Sequence, residues 1–390
     1  MLTAELKTTQ ELTLLGGPLH RLGLRLGLVR DETNTIRLGI ALGLLAWVVL
    51  LLLAFLDGVG PKLFSLAYTG VYVRFLIAIP LLFLCESWIS PTILEFSRYI
   101  VRSGLVPARS LPALASLVPR IGRMRDSWVA EGLFLIVALG LVFVDAILPI
   151  PGNTGTWSSV LHSTGGRLSW TAVWYLGFCM PLFRFLLLRW FWRLGLWWYF
   201  LWRLEALDLN LVPTHSDGTA GLGYLEVVHE NFAPLILAIS AVYSAQFAEE
   251  ISSGRTSFEA LYGWVPVLML AIAAVLIAPL FMFCNKLWTC RFNGLSKYMS
   301  MASQYVTAFD RKWVGEERSG ESQLGTGDLQ SLADLTNSVN VVRGMRWIPI
   351  GQRQLMQFAV SAIVPLLPLL LLKYPMKQVV ARLFQMLSGM

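Results

Sequence analysis

The residues best equipped for chemistry lie between positions 211 and 230. The stretch LVPTHSDGTAGLGYL, residues 211–225, sets an imidazole at His215 two positions before a carboxylate at Asp217. Gly218, Gly221 and Gly223 follow and allow backbone shapes that other residues resist. Pro213 is expected to stop a preceding helix, and Thr214, Ser216 or Asp217 to cap the next one. Amides at a helix start can bind an anion. The spacing is not a P-loop, because GK[ST] is missing, nor a dinucleotide fingerprint, because no strand precedes it. Two readings stay open: a turn and cap leading into a helix, or a ligand or metal site.

Glu226, His229 and Glu230 come next, at i, i+3 and i+4, and share one helical face. Glu-x-x-His is the spacing of helical di-metal sites, which need matching carboxylates on other helices. This is the one such motif singled out, so a hydrated polar helix start is the competing reading. Charges also interrupt apolar segments at Glu86, Glu131 and Arg184, expected near the same end as Glu226, and at Arg74 and Asp145, expected as a pair near the other. Ionisable groups in membrane spans are costly and face the protein interior. These residues imply a polar cavity shared by His215, Asp217 and His229, with structural ion pairs as the plainer alternative. They specify no cofactor. His20 and His162 complete the four histidines, and none sits in a G-x-S-x-G or HExxH setting.

The elements that must position these groups are membrane helices. The chain has 390 residues, 56% hydrophobic and 14% charged, against about 25% charged in soluble domains. Leu38 to Leu56 holds no charge and no proline, enough to cross roughly 30 Å of hydrocarbon. Similar runs give about seven spans: 38–56, 70–89, 128–149, 169–190, 225–248, 261–285 and 354–373. They lack the period-two alternation of a barrel, so the fold class is all-α, a polytopic transmembrane bundle.

Arginine concentrates in 90–127 (Arg98, Arg102, Arg109, Arg120, Arg123 and Arg125) and is sparse in 57–69, 150–168 and 249–260. The positive-inside rule then predicts a cytoplasmic N-terminus, with 90–127, 191–224 and 286–353 on the same side. The net charge of +7 follows from this pattern, and nucleic acid is not a partner. The four cysteines include no CxxC pair and none in an external loop, which supports neither a disulfide framework nor a thiolate metal site. No cleavable signal peptide is evident, so Leu38 to Leu56 reads as a retained anchor.

Four regions result: a cytoplasmic segment 1–37, a six-span body 38–285 with helical loops 90–127 and 191–224, a cytoplasmic helical region 286–353, and a last span with an interfacial helix, 354–390. In the second, helices are expected over 92–104 and 112–127; in the third, over 291–313 and 328–344, with a polar Gly-rich loop at 315–328. Pro365 and Pro368 are expected to kink the last span or turn it back. The stretch RWFWRLGLWWYFLWRLEALDLN from Arg189 reads either as an aromatic-basic interfacial anchor or as a recognition surface for an anion.

Several stretches resemble an uncharacterised family of bacterial multi-pass inner-membrane proteins. They are GGPLHRLGLRLGLVR (16–30), VRFLIAIPLLFLCE (73–86), SGLVP (103–107) with RMRDSW (123–128), LDLNLVPTHSDGTAGLGYL (207–225) and SLADLTNSVNVVRGMRWIPI (331–350). The family typically shows Pro-Thr-His-Pro-Asp-Gly, and Ser216 here replaces the second proline. The resemblance implies a bacterial inner membrane and supplies no activity. Three functions therefore stay open. One is a transporter or channel for a small, anionic solute. Another is a membrane enzyme using a metal near His215, Asp217, Glu226 and His229. The third is a sensor or assembly partner acting through the cytoplasmic 291–353 region. Partners expected are the lipid bilayer, a small solute and further copies of the chain.

Overall fold

A computed structural model describes residues 12–27, 29, 35–147, 169–315 and 326–373. In chain order its main helices are α1 (Pro18–Arg25), α2 (Ile36–Leu56), α3 (Thr69–Arg102), α4 (Leu111–Arg125), α5 (Trp128–Ile147), α6 (Trp170–Glu205), α7 (Tyr224–Glu230), α8 (Ala233–Ser252), α9 (Leu261–Ile277), α10 (Cys284–Phe309), α11 (Gly327–Gly344) and α12 (Gln352–Ile363). Six stretches are long and apolar enough to cross a membrane: α2, α3, α4 with α5, α6, α7 with α8, and α9 running into α10. The protein is a multi-pass helical membrane protein. Its arginine-rich segments gather at one end of the bundle, hereafter the basic end. Residues 57–68 and 253–260 lie at the opposite end.

The expected seventh span, 354–373, is not among these six. α12 passes into a 3₁₀ turn over Val364–Leu369 that contains Pro365 and Pro368, and continues as a short helix, Leu370–Lys373. It packs beside α8, where the Ser240 hydroxyl donates to the Ala362 carbonyl. The interfacial helix expected after Pro375, the 150–168 loop with His162, and most of the 315–328 loop lie outside the described residues.

Two spans end at the opposite end by the same device. Gly58 takes φ 73° and donates to Phe55 O, while Val59 donates to Ala54 O. Gly254 takes φ 70° and donates to Ile251 O, while Arg255 donates to Glu250 O. Both are paired-carbonyl closures that need a left-handed residue, which glycine supplies without strain. Asp57 then accepts both the amide and the hydroxyl of Thr171, at 2.8 and 2.7 Å, and ties α2 to the start of α6.

Two spans carry a π-helical turn inside the bundle. α3 contains a π-helical turn over Val73–Ala78, two residues before Pro80. α6 contains one over Tyr175–Cys179, two residues before Pro181. Proline has no N–H and its ring collides with the carbonyl one turn earlier. A ladder that widens by one residue relieves that collision, and such turns recur at functional sites. α3 and α8 form the centre: 56% of each spanning window is buried, against 11% for the α4–α5 span at the periphery.

The long helix of the fourth span runs unbroken to Glu205, eight residues before Pro213. Arg189, Arg193 and Trp197 on it are buried, so this face is core. The aromatic-basic anchor describes its other face, where Phe191 and Trp202 are exposed. The helices expected at 92–104, 112–127, 291–313 and 328–344 correspond to the end of α3, to α4, to α10 and to α11.

Candidate functional site

A cavity of about 230 Å³ opens between α3, α6 and α8. Its walls are mostly apolar, with Leu82 and Phe183 among them. Four polar groups break that surface: Arg74 of α3, Arg184 of α6, and Tyr243 and Gln246 of α8. Arg74 lies inside the α3 π turn, and its guanidinium donates to the Tyr175 hydroxyl at 2.9 Å. Tyr175 opens the π turn of α6. The two bulges thus meet across the bundle at the cavity wall. Asp145, the expected partner of Arg74, has its side chain outside the described residues.

Just beyond the cavity, Glu249 of α8 accepts the Gly70 amide at 2.7 Å and is 8% exposed. A Cβ at position 70 would lie 2.8 Å from that oxygen, so only glycine admits this approach. Among the described residues, the cavity and its edge bring together two guanidiniums, Arg74 and Arg184, and one carboxylate, Glu249. Planar guanidiniums match the oxygens of carboxylate, phosphate or sulfate in a forked arrangement.

A second cluster occupies the basic end. Arg193 donates to Glu86 at 2.6 Å, and Arg189 contacts Glu86 at 3.6 Å and Glu131 at 3.3 Å. The N-terminal segment closes over this group as a strap. Gly16 O accepts Arg189 at 2.8 Å, Leu19 N–H donates to Glu131 at 3.1 Å, and Gly17 N–H donates to Asp126 at 2.9 Å. Gly16 and Gly17 have φ of 150° and 93°, and a Cβ on either would strike Arg125 or Glu131. Two buried arginines face one buried acid, Glu86, and one partly buried acid, Glu131, so these four charges balance and the acceptors are filled. His20 of α1 sits beneath the strap; burial pushes its imidazole below the ordinary range, and Arg189, Arg193 and Arg125 add to that against the opposing pull of Glu86.

The loop at 211–225 is closed upon itself. Asp217 accepts Thr219 N–H at 2.8 Å, Gly221 N–H at 3.1 Å and Gly223 N–H at 2.7 Å. Burial alone would raise this carboxyl, but the three amides and His215 outweigh it and hold it below the ordinary range. His215 Nδ1 accepts Asp217 N–H at 3.3 Å. Gly223 is the N-cap of α7, so the carboxylate organises the helix start. Arg346 clamps the loop from outside: its amide donates to Gly218 O at 2.8 Å and its guanidinium pairs with Glu226 at 3.0 Å. Glu230 faces Arg353 at 3.9 Å. His229 is fully buried; its Nε2 accepts Trp197 Nε1–H at 3.3 Å, and its ring packs near Phe232.

The sequence-derived candidates therefore separate into three groups and a lone histidine, His229, buried against Trp197. Glu86 and Glu131 meet at Arg189. His215, Asp217, Gly218, Gly221, Gly223 and Glu226 belong to the clamped loop, with Glu230 one turn on. Arg184 lines the cavity with Arg74. Among the described residues, no hydrogen bond or ion pair joins His229 to His215 or Asp217, and no group of three His, Cys, Asp or Glu side chains is placed to hold a metal. Tyr175, Gln246 and Glu249 were not among the candidates. The signal for Tyr175 was the pair of prolines inside spans, Pro80 and Pro181; Gln246 and Glu249 of α8 carried none. Comparison with family models, with curated proteins and with solved structures finds no match for this chain.

Proposed function

We propose that the protein moves a small oxyanion across the membrane through the cavity between α3, α6 and α8. One observation carries this reading: guanidiniums from two different spans, Arg74 and Arg184, line the same intramembrane cavity. An arginine within a span is expensive to hold in place and points to an ion or substrate path. The cavity is smaller than the ~300–1,000 Å³ of sites for drug-sized ligands, which favours a compact solute. The arginine-rich end is taken as cytoplasmic by the positive-inside rule, and the resemblance noted above favours a bacterial inner membrane.

The test is flux into proteoliposomes, using labelled sulfate, gluconate, methanesulfonate and nitrate as probes. At least one should enter faster than into protein-free vesicles. Arg184→Gln should slow that flux about 10-fold or more, the equivalent of one charge-assisted hydrogen bond. Flux of all four at the protein-free rate, or an unaffected R184Q, would overturn the reading. For orientation, cysteines introduced at Ser253 and Ser303 in a Cys-less background should label oppositely with an impermeant thiol reagent in intact cells.

A further inference from the structure

One buried acid beside the cavity has no role in binding an anion. Glu249 lies one turn beyond Gln246 on the same face of α8, and Gln246 lines the cavity. Its carboxylate is anchored by the Gly70 amide at 2.7 Å. Gly70 stands one turn before Arg74 on α3, which brings the carboxylate within the field of that guanidinium, the same one that lines the cavity, although no ion pair within 4 Å joins the two. Other described titratable groups surround it. α6 contributes Tyr175, with Cys179 and Arg184 nearby on that helix. The segment packed against this part of α8 contributes Tyr68 and Tyr72. Its own end contributes Glu250 and Arg255. Arg74 is thus shared between a fixed carboxylate and the space a solute would fill.

We propose that Glu249 is a proton-binding site coupled to the anion, so that the protein is a proton–oxyanion symporter; this rests on the reading of the cavity given above. With the cavity empty, Arg74 balances the Glu249 carboxylate. An oxyanion arriving between Arg74 and Arg184 competes for that charge. Two negative groups close together in a water-poor site cannot both stay ionised cheaply, and the one that can bind a proton does so. The proton comes from the water at that end of the bundle and binds a carboxylate oxygen of Glu249. The group goes from −1 to neutral while one monoanion binds, so the loaded site carries no added charge. The neutral carboxyl still offers an oxygen to Gly70. Departure of the anion on the other side returns Arg74 to Glu249, which releases its proton there. Fixed structural glutamate would need the Gly70 contact alone; it would not need a counter-charge that doubles as the cavity wall.

The experiment uses the same proteoliposomes and the same four anions, none of which titrates near neutral pH. For a monoanion moved with one proton, an inward proton gradient should drive accumulation by about tenfold per pH unit. A trapped pH dye should report proton uptake when the anion is added. Glu249→Gln keeps an oxygen for the Gly70 amide and cannot take the proton. It should bring the accumulation ratio to about one and abolish the dye signal, with flux lowered but not lost. Glu249→Asp should restore accumulation in part. If no anion crosses in the wild type, the cavity reading itself fails. If anions cross without accumulation or dye signal, the reading stands and the coupling is wrong. Accumulation that persists in E249Q also overturns the assignment.

Discussion

Arg74 and Tyr175 meet across the bundle through a 2.9 Å hydrogen bond, and each belongs to a π-helical turn of its own span. The wider turn rotates the residues that follow relative to those before it. Both spans carry the interruption two residues ahead of a proline, so the bulges are written into the chain by Pro80 and Pro181. They bring a buried cation to a hydroxyl at the wall of the cavity.

Tyr175→Phe should therefore destabilise the bundle without changing its shape. It removes the acceptor of a buried charged donor, which costs about 1.5–3 kcal/mol. Thermal unfolding in detergent should show the loss. Tyr243→Phe, also at the cavity, has no such bond to Arg74 and should be milder. Equal stability of Tyr175→Phe and wild type would mean that the bond does not form in the membrane protein.

Glu86 gives a sharper case. It is the shared acceptor of Arg189 and Arg193, all three nearly sealed from solvent. Breaking a buried pair by removing one partner costs about 3–5 kcal/mol, because the other charge stays behind. Glu86→Gln should lower the melting temperature and loosen the N-terminal strap, seen as faster proteolysis near Gly16. Glu86→Leu combined with Arg193→Met should recover part of the stability. Strictly additive losses in that double variant would show that the two side chains do not interact.

The spans were legible because bilayer thickness imposes long apolar runs, and Leu38 to Leu56 could hardly be anything else. The helix of the fourth span continuing to Glu205 was also legible, since nothing between Pro181 and Glu205 breaks it but Gly195. Partnership was harder. Arg184 was singled out for interrupting an apolar run, yet its neighbour in the cavity is Arg74, some 110 positions away and expected at another depth. Position along a span ignores tilt and bulges. The strap was missed for a different reason. Its contacts use Gly16 O, Gly17 N–H and Leu19 N–H, and backbone groups leave no residue-type pattern. Pattern left Asp217 open between a loop cap and a ligand site, because the residue type is common to both; the three amides on its carboxylate are what the structure adds.

Asp217 should behave as a loop-former. Asp217→Ala should cost about 1–2 kcal/mol, the usual value of a lost cap, and expose 211–225 to protease. The sign with pH follows from its lowered carboxyl. The folded form holds the proton less readily than the unfolded chain, whose ordinary value is 3.8. The contribution is therefore complete above that value and is lost as pH falls through it toward the lower folded value. Asp217→Asn should remove this acid dependence. A variant as stable as wild type, with the loop still resistant to protease, would contradict the assignment.

His20 should make the strap sensitive to mild acid. Its imidazole lies below its ordinary value of 6.5, first through burial and then through Arg189, Arg193 and Arg125, with Glu86 opposing. The unfolded or released strap binds a proton more readily than the seated one. Seating is thus unimpaired above pH 6.5 and weakens as pH falls below it, toward the lower value of the seated histidine. Protonation would place one more positive charge beside Arg189 and Arg193, whose acceptors are already shared between Glu86, Glu131 and Gly16 O. Limited proteolysis or spin-label mobility at the strap should rise between pH 6.5 and 5.5. His20→Gln, which cannot gain that charge, should flatten the response while leaving the strap seated at pH 7.5. If wild type and H20Q respond alike over this range, the acid sensitivity belongs to another group. A change in both as pH falls below 3.8 would then point to Asp126, which holds Gly17 and whose carboxyl, despite burial, is kept below that ordinary value by Arg125 and the Gly17 amide.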